Sequence, residues 1–291
     1  MSSEANRPLS NAEIEALLIP PSVWKRRDVQ RSLAIAGLST IAFVAIVAYV
    51  LSNSTGWDAV RTSFFSWHHF KEALPRVWEG FKLNIKIFMI AEPLVLIFGL
   101  LLALARVSRN PVLFPIRALA VAFIDLFRGA PSLLVILMLG FGVPGLRIEG
   151  LPRDPIFWGT VAIILTSSAY TAETFRAGIE SIHPSQRAAA RSLGLSNTRA
   201  QVHVVLPQAI RNVIPPLLSG FVGLQKETSL VSVIGPLEAT RQAQIYAGMT
   251  FNFTSYLVAA LLFAAITIPL ARLTDYLLVK SRAERAVGGA T

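Results

Sequence analysis

Residues 178–208 read GIESIHPSQRAAARSLGLSNTRAQVHVVLPQ, and the role of this polar stretch between two apolar runs decides the fold. Pro184 can open a helix, and Ala188-Ala189-Ala190-Arg191-Ser192-Leu193 strongly favours one. Gly194 supplies a left-handed stop, after which Ser196 can cap a second short helix running toward Pro207. The pattern predicts a rigid, basic, alanine-rich helix–turn–helix knob. Small alanines let another surface approach closely, which suits a docking element for a cytoplasmic subunit. Arg187, Arg191 and Arg199 would equally favour an amphipathic helix resting on anionic lipid. The residues alone leave both readings open.

Outward from the knob, apolar residues come in blocks of membrane length. A hydrocarbon core about 30 Å thick takes about 20 residues of helix. Six spans are expected: Leu33–Leu51, Leu83–Ala105, Arg117–Phe141, Ile156–Phe175, Asn212–Gly235 and Ser255–Val279. The first is too long for a secretory signal and lacks a convincing cleavage site, so it reads as a retained anchor. Pro93, Pro131, Pro215, Pro216 and Pro269 fall inside spans, and in lipid such prolines survive where neighbouring helices satisfy the freed carbonyls. A packed, all-α bundle follows. Between the first two spans, residues 52–80 carry Trp57, Phe64, Phe65, Trp67, Phe70 and Trp78 among charges, the pattern of an extracytoplasmic segment lying at headgroup depth.

With a cytoplasmic N-terminus, the inner segments hold sixteen Lys and Arg, among them Arg7, Lys25, Arg26, Arg106, Arg109, Arg187 and Arg285. The outer segments hold eight: Arg61, Lys71, Arg76, Lys82, Lys86, Arg147, Arg153 and Arg241. The positive-inside rule therefore places both termini in the cytoplasm. The chain then divides into a cytoplasmic tail (1–32), a first span (33–51), the interfacial segment (52–80), a core (81–279) and a cytoplasmic tail (280–291).

Of 291 residues, 53% are hydrophobic and 15% charged, with a formal charge of +10. Soluble domains carry about a quarter charged residues, so disorder and low complexity are excluded. The basic excess is mostly a topology signal, which demotes nucleic-acid binding. Without cysteine there is no thiol catalysis, disulfide framework or Cys-ligated metal site. His68, His69, His183 and His203 lack metal-ligand spacing, so no metal site is expected.

Charges inside spans are costly and read as functional by default. Arg128 precedes Gly129 and Pro131, where a broken helix would suit a substrate carboxylate held bidentately. The plainer alternative is an internal pair with Asp125, three residues away. Residues 166–174 form a hydroxyl-rich run that includes Ser167, Tyr170 and Glu173, and some of it should line a cavity. Lys226, Glu227, Thr228 and Ser229 interrupt the next span and are hard to hide from lipid without a water-filled path.

The knob resembles the EAA loop of bacterial ABC-importer permeases, whose pattern is E-A-A, three residues, G, nine residues, I, one residue, L-P. Ala188-Ala189-Ala190, Gly194, Val204 and Leu206-Pro207 stand at those positions. Ala188 replaces the family's Glu and Val204 its usual Ile, and the first change removes a carboxylate from the docking face. Phe127–Pro131 (FRGAP), Ala169–Ile179 (AYTAETFRAGI) and Lys226–Leu230 (KETSL) are similar to segments of the polar-amino-acid branch, in family order over about residues 81–279.

The resemblance implies a five-helix type I permease core with one extra N-terminal helix, in the cell inner membrane. It implies two cytoplasmic ABC ATPase subunits, a second permease subunit (identical or related) and an extracytoplasmic solute-binding protein, with an amino acid as substrate. Arg187, Ala188, Ala189, Ala190, Arg191, Gly194, Leu206 and Pro207 would then couple to the ATPase. The chain has no phosphate loop of the G-x-x-x-x-G-K-[ST] type. ATP and Mg belong in the partner, and the chain itself should bind no cofactor and catalyse no reaction. An ion-coupled secondary transporter would keep the polar cavity but has no use for the knob.

Overall fold

The computed structural model describes residues 27–108 and 110–288. The segment 1–26 with Arg7, Lys25 and Arg26, then Arg109, and residues 289–291 lie outside the described residues. Two compact units divide the chain between Arg61 and Thr62.

The first unit is dominated by α1 (Arg27–Ser52), whose large apolar side chains are exposed from Leu33 to Leu51. Ser39 and Thr40 do not break its apolar character, because both hydroxyls donate to the Ala36 carbonyl, at 2.9 and 2.7 Å. A short α2 (Trp57–Phe64) straddles the division.

The second unit is helical throughout. Its longest element, α3 (Trp67–Val107), runs unbroken through Pro75 and Pro93. Along it Ala73, Val77 and Phe81 recur at helical spacing and pack on Ala239, Ala243, Tyr246 and Val258. Six residues after Phe81, Ile87, Phe88, Ala91 and Val95 continue the stripe into a second cluster with Ile136, Ile163, Leu224 and Ile234. Gly80 lies within the first stripe, between Val77 and Phe81, and a Cβ there would stand 2.6 Å from the Glu238 backbone carbon.

After α3 come α4 (Phe114–Gly129) and α5 (Ser132–Leu137). The helical arms Pro111–Gly129 and Ser132–Gly145 meet at 103°, within the expected span Arg117–Phe141 and at the break that Pro131 suggested. Pro131 disfavours the helical conformation at Ala130, which sits at φ −89°, ψ 134°. Helix α6 (Pro155–Glu180) starts on a side-chain cap, Asp154 Oδ1 accepting from the Ile156 N–H at 2.9 Å.

The knob follows as α7 (Pro184–Ser192) and α8 (Asn197–Ala200). Gly194 takes φ +84°, and the Leu195 N–H reaches back to the Ala190 carbonyl at 3.2 Å. Ser196 Oγ accepts from the Arg199 N–H at 3.3 Å, as its cap position suggests. Pro207 is no terminator, however. A π-helical turn, Gln201–Val205, leads straight into α9 (Leu206–Glu227), with the proline in the first turn of α9, where its missing N–H costs nothing.

A 3-10 turn (Thr228–Ile234), α10 (Ala239–Thr250) and α11 (Thr254–Gly288) complete the unit. No helix was expected over 239–250. Among the described residues, four helices are long and apolar enough to cross a membrane, or five if the bent pair counts as one span. The protein is therefore an all-α, multi-pass membrane protein. The expected span Asn212–Gly235 is not among these helices: α9 carries Arg211, Asn212, Pro215 and Pro216, and the α-helix ends at Glu227.

Candidate functional site

Two cavities adjoin in the second unit. The larger, about 610 Å3, is lined by Arg128 from the end of α4, by Tyr170, Glu173 and Thr174 from α6, and by Arg211 and Asn212 from α9. The smaller, about 140 Å3, is lined by Glu92 from α3, Ser167 and Tyr170 from α6, and Glu227 from α9. Tyr170, Thr174 and Pro216 belong to both linings, so the hydroxyl-rich face of α6 forms their common wall.

Glu173 is the electrostatic centre of this wall. Arg176 donates to both its carboxylate oxygens, from Nε at 3.1 and 3.0 Å. Arg106 Nη1 lies 3.4 Å from Glu173 Oε2, and Arg128 Nη1 3.7 Å from the same oxygen. Three guanidinium groups from three helices thus converge on one carboxylate. Arg176 also pairs with Glu180 one turn on. Asp125 turns to Arg106 at 3.7 Å and is not paired with Arg128. Spacing along α4 suggested the intrahelical pair, but α3 and α6 supply partners from outside it.

Arg128 is positioned by more than charge. Its guanidinium stands over the Tyr170 ring at 5.9 Å, and the Tyr170 hydroxyl donates to the Arg128 carbonyl at 3.3 Å. The arginine at the helix break therefore lines the larger cavity with its guanidinium against an aromatic ring.

The KETSL segment splits in two. Ser167 Oγ donates to Glu227 Oε2 at 3.2 Å and both line the smaller cavity, whereas Lys226 is exposed. Thr228 is fully buried: it donates to the Gln225 carbonyl at 2.8 Å and accepts from Asn84 Nδ2 at 3.2 Å. Ser229 Oγ donates to the Lys226 carbonyl at 2.8 Å. Lys226, Thr228 and Ser229 line neither cavity.

Sequence reasoning missed the anchor beneath this segment. Asn84 Nδ2 donates to Glu238 Oε2 at 2.9 Å, and Asn84 Oδ1 accepts from the Ala239 N–H at 3.1 Å. Glu238 Oε1 accepts from the Arg241 N–H at 2.7 Å and so caps α10. Burial pushes the Glu238 carboxyl above the usual carboxylate range, against the hydrogen bonds that it accepts. Glu238 is not among the favoured N-cap residue types and gave at most a weak signal. Asn84 and Glu92 gave none, being single polar letters in long apolar runs.

On the knob, Arg187, Ala188, Ala189 and Arg191 are exposed, as are Gly194, Leu206 and Pro207, while Ala190 is buried. A further cleft of about 460 Å3 lies beside it, lined by Val107, Glu180, His183, Arg187 and Val205 among others. Among the described residues, no group of three or more His, Cys, Asp or Glu is placed to hold a metal ion.

Comparison with known proteins places this architecture. Residues 95–282 match the family described as binding-protein-dependent transport system inner membrane component. The probable glutamine ABC transporter permease protein GlnM of Bacillus subtilis is 36% identical over 202 residues, 68% of this chain and 90% of the relative. The arginine transport system permease protein ArtQ of the same organism is 32% identical over 187 residues, 64% and 83% of the two chains. The crystal structure of an amino acid ABC transporter with histidines superposes with TM-score 0.67 at 31% identity, covering 74% of this chain and 98% of the other. An inward-facing MetNI methionine ABC transporter, at 16% identity and TM-score 0.53, shares the fold over 72% and 97% of the two chains.

Proposed function

This chain belongs to the family of binding-protein-dependent transport system inner membrane components, and from that membership we propose that it carries amino acids across the membrane and takes its energy through the Pro184–Pro207 knob. It is the transmembrane permease component of an ABC-type importer. Membership implies an ATPase partner and a solute-binding partner. We assign two ATPase subunits to the cytoplasmic side, a second permease subunit, identical or related, to the membrane, and the binding protein to the outer side, with ATP and Mg held by the ATPases.

The single observation that supports coupling through the knob is its construction. Two short helices locked by Gly194 and Ser196 expose Arg187, Ala188, Ala189 and Arg191. The second helix then continues through a π turn into α9, which carries Arg211 and Glu227 to the two cavities. Displacement of the knob by nucleotide-driven closure would therefore move one wall of the candidate pathway. In this reading α9 with its 3-10 extension is the fifth of six spans, both termini are cytoplasmic, and residues 52–80 lie at the outer interface.

The amino acid assignment draws on the glutamine and arginine permeases among the relatives and on the cavities themselves, which set Arg128 against acidic and hydroxyl groups. Uptake of radiolabelled amino acids by membranes containing the whole assembly tests it. Uptake should require ATP and stop when the partner ATPase is inactivated by mutation of its phosphate loop. Uptake that survives this inactivation and collapses with the ion gradient would instead identify a secondary transporter.

A further inference from the structure

Glu92 is a buried acid that no described side chain balances. It sits on α3 directly before Pro93, is 8% exposed, and lines the smaller cavity. Its neighbours on α3, Ala91 and Val95, belong to the apolar core. The other acids of this region are matched: half-buried Glu173 by three arginines, buried Glu238 by Asn84 and the Arg241 N–H. Among the described side chains none hydrogen-bonds or ion-pairs with the Glu92 carboxylate. Burying a carboxylate without a partner is unfavourable, and in membrane proteins such groups mark solute and ion paths.

Charge is sorted between the two cavities. The smaller has Glu92 and Glu227 in its walls and no Lys, Arg or His. The larger, reached past Tyr170 and Thr174, has Arg128 and Arg211 beside Glu173, whose charge Arg106 and Arg176 already offset. At about 140 Å3 the smaller cavity is below the size that encloses a whole ligand, yet ample for one end of a molecule.

We propose that this smaller cavity is a subsite for the cationic side-chain end of the transported solute, an ammonium or guanidinium group, with Glu92 as its principal counter-charge and Glu227 as the second. The solute's α-carboxylate then lies in the larger cavity toward Arg128. A neutral amino acid fits this arrangement poorly. Its only cation is two bonds from its own carboxylate, so bringing the ammonium between two glutamates brings the carboxylate with it. A basic side chain separates the charges by a carbon stem, matching the acidic and basic compartments. The inference rests on the amino acid reading above and narrows it to basic amino acids.

The test uses the purified permease–ATPase complex in lipid nanodiscs without the binding protein, whose own selectivity would mask that of the membrane site. Binding of L-arginine, L-lysine, L-glutamine and L-glutamate is measured by calorimetry. Arginine and lysine should bind at least tenfold more tightly than glutamine, and glutamate most weakly. Glu92→Gln, nearly isosteric, should weaken arginine at least tenfold while leaving glutamine within about twofold, and Glu92→Asp should recover part of the arginine affinity. Equal binding of all four by the wild type, or an arginine preference that survives Glu92→Gln, would overturn the subsite while leaving the amino acid reading intact. If the complete assembly takes up none of the four, the amino acid reading fails, and the subsite with it.

Discussion

At Gly194 the backbone sits at φ +84° with no heavy atom within 4 Å of where a Cβ would be. A side chain there has room but must hold a left-handed conformation, at a cost of roughly 1–2 kcal/mol. Gly194→Asp should therefore distort the knob without a clash and leave the spans alone. Uptake is expected to fall at least tenfold, with normal membrane insertion by fractionation; unchanged uptake would remove the knob from the coupling path. Arg128→Ala takes a guanidinium from the larger cavity but leaves Glu173 paired with Arg106 and Arg176. Substrate-stimulated transport should drop about tenfold or more while the ATPase still co-purifies; loss of the complex instead would make Arg128 a structural ion-pair partner only.

These two residues also show what a sequence can reveal. Gly194 was legible because few residue types can end a helix in that conformation. The partner of Arg128 was not. A three-residue spacing says that Asp125 and Arg128 are near each other on one helix, but it carries no information about Arg106 and Glu173 arriving from α3 and α6. Glu92 was invisible for the same reason, since its significance lies in which walls it meets.

Among the elements, those announced by local chemistry were readable and those created by packing were not. The break after Gly129 was anticipated from Pro131, though not the 103° between the two arms. The length of α3 was obscured by Pro75 and Pro93, whose lost donors a long packed helix tolerates. The helix α10 was overlooked because its apolar stripe is mostly alanine, which scores weakly until α3 is laid against it. The contact at Gly80 can be tested. Gly80→Ala places a methyl group 2.6–2.7 Å from the backbone of Glu238 and Ala239, and overpacking of this kind costs about 1–3 kcal/mol. The detergent-solubilised complex should melt at a lower temperature; an unchanged melting temperature would mean that α10 is free to shift.

The cap on α10 has a pH signature. Because the folded protein raises the Glu238 carboxyl above its ordinary range, folding favours the protonated form. The stability this contributes is complete below about pH 4.3, the unperturbed value for Glu, and is lost as pH rises through the raised folded value. Glu238→Gln cannot titrate, so the melting temperature of the wild type relative to that variant should decline as pH rises through this window. A relative increase would show that the cap works as a carboxylate and that its burial is relieved.

For the molecule as a whole, the cavities are walled by α3, α4, α6 and α9, and the knob proposed to face the cytoplasm is continuous with α9. The all-α, multi-pass class followed from hydropathy alone. The count of spans did not, because α9 mixes Arg211, Asn212 and two prolines into a helix that faces the cavities, and such a wall is less apolar than one facing lipid. The central claim is that the knob touches the ATPase. The chain contains no cysteine, so Ala189→Cys at the exposed face of α7 introduces a unique thiol. Labelled in inside-out vesicles with a thiol-reactive photo-crosslinker and irradiated, it should form an adduct with the ATPase subunit that changes in yield between nucleotide-free and ATP-bound states. Adducts with phospholipid only, or a thiol that reacts solely from the outer face, would contradict it.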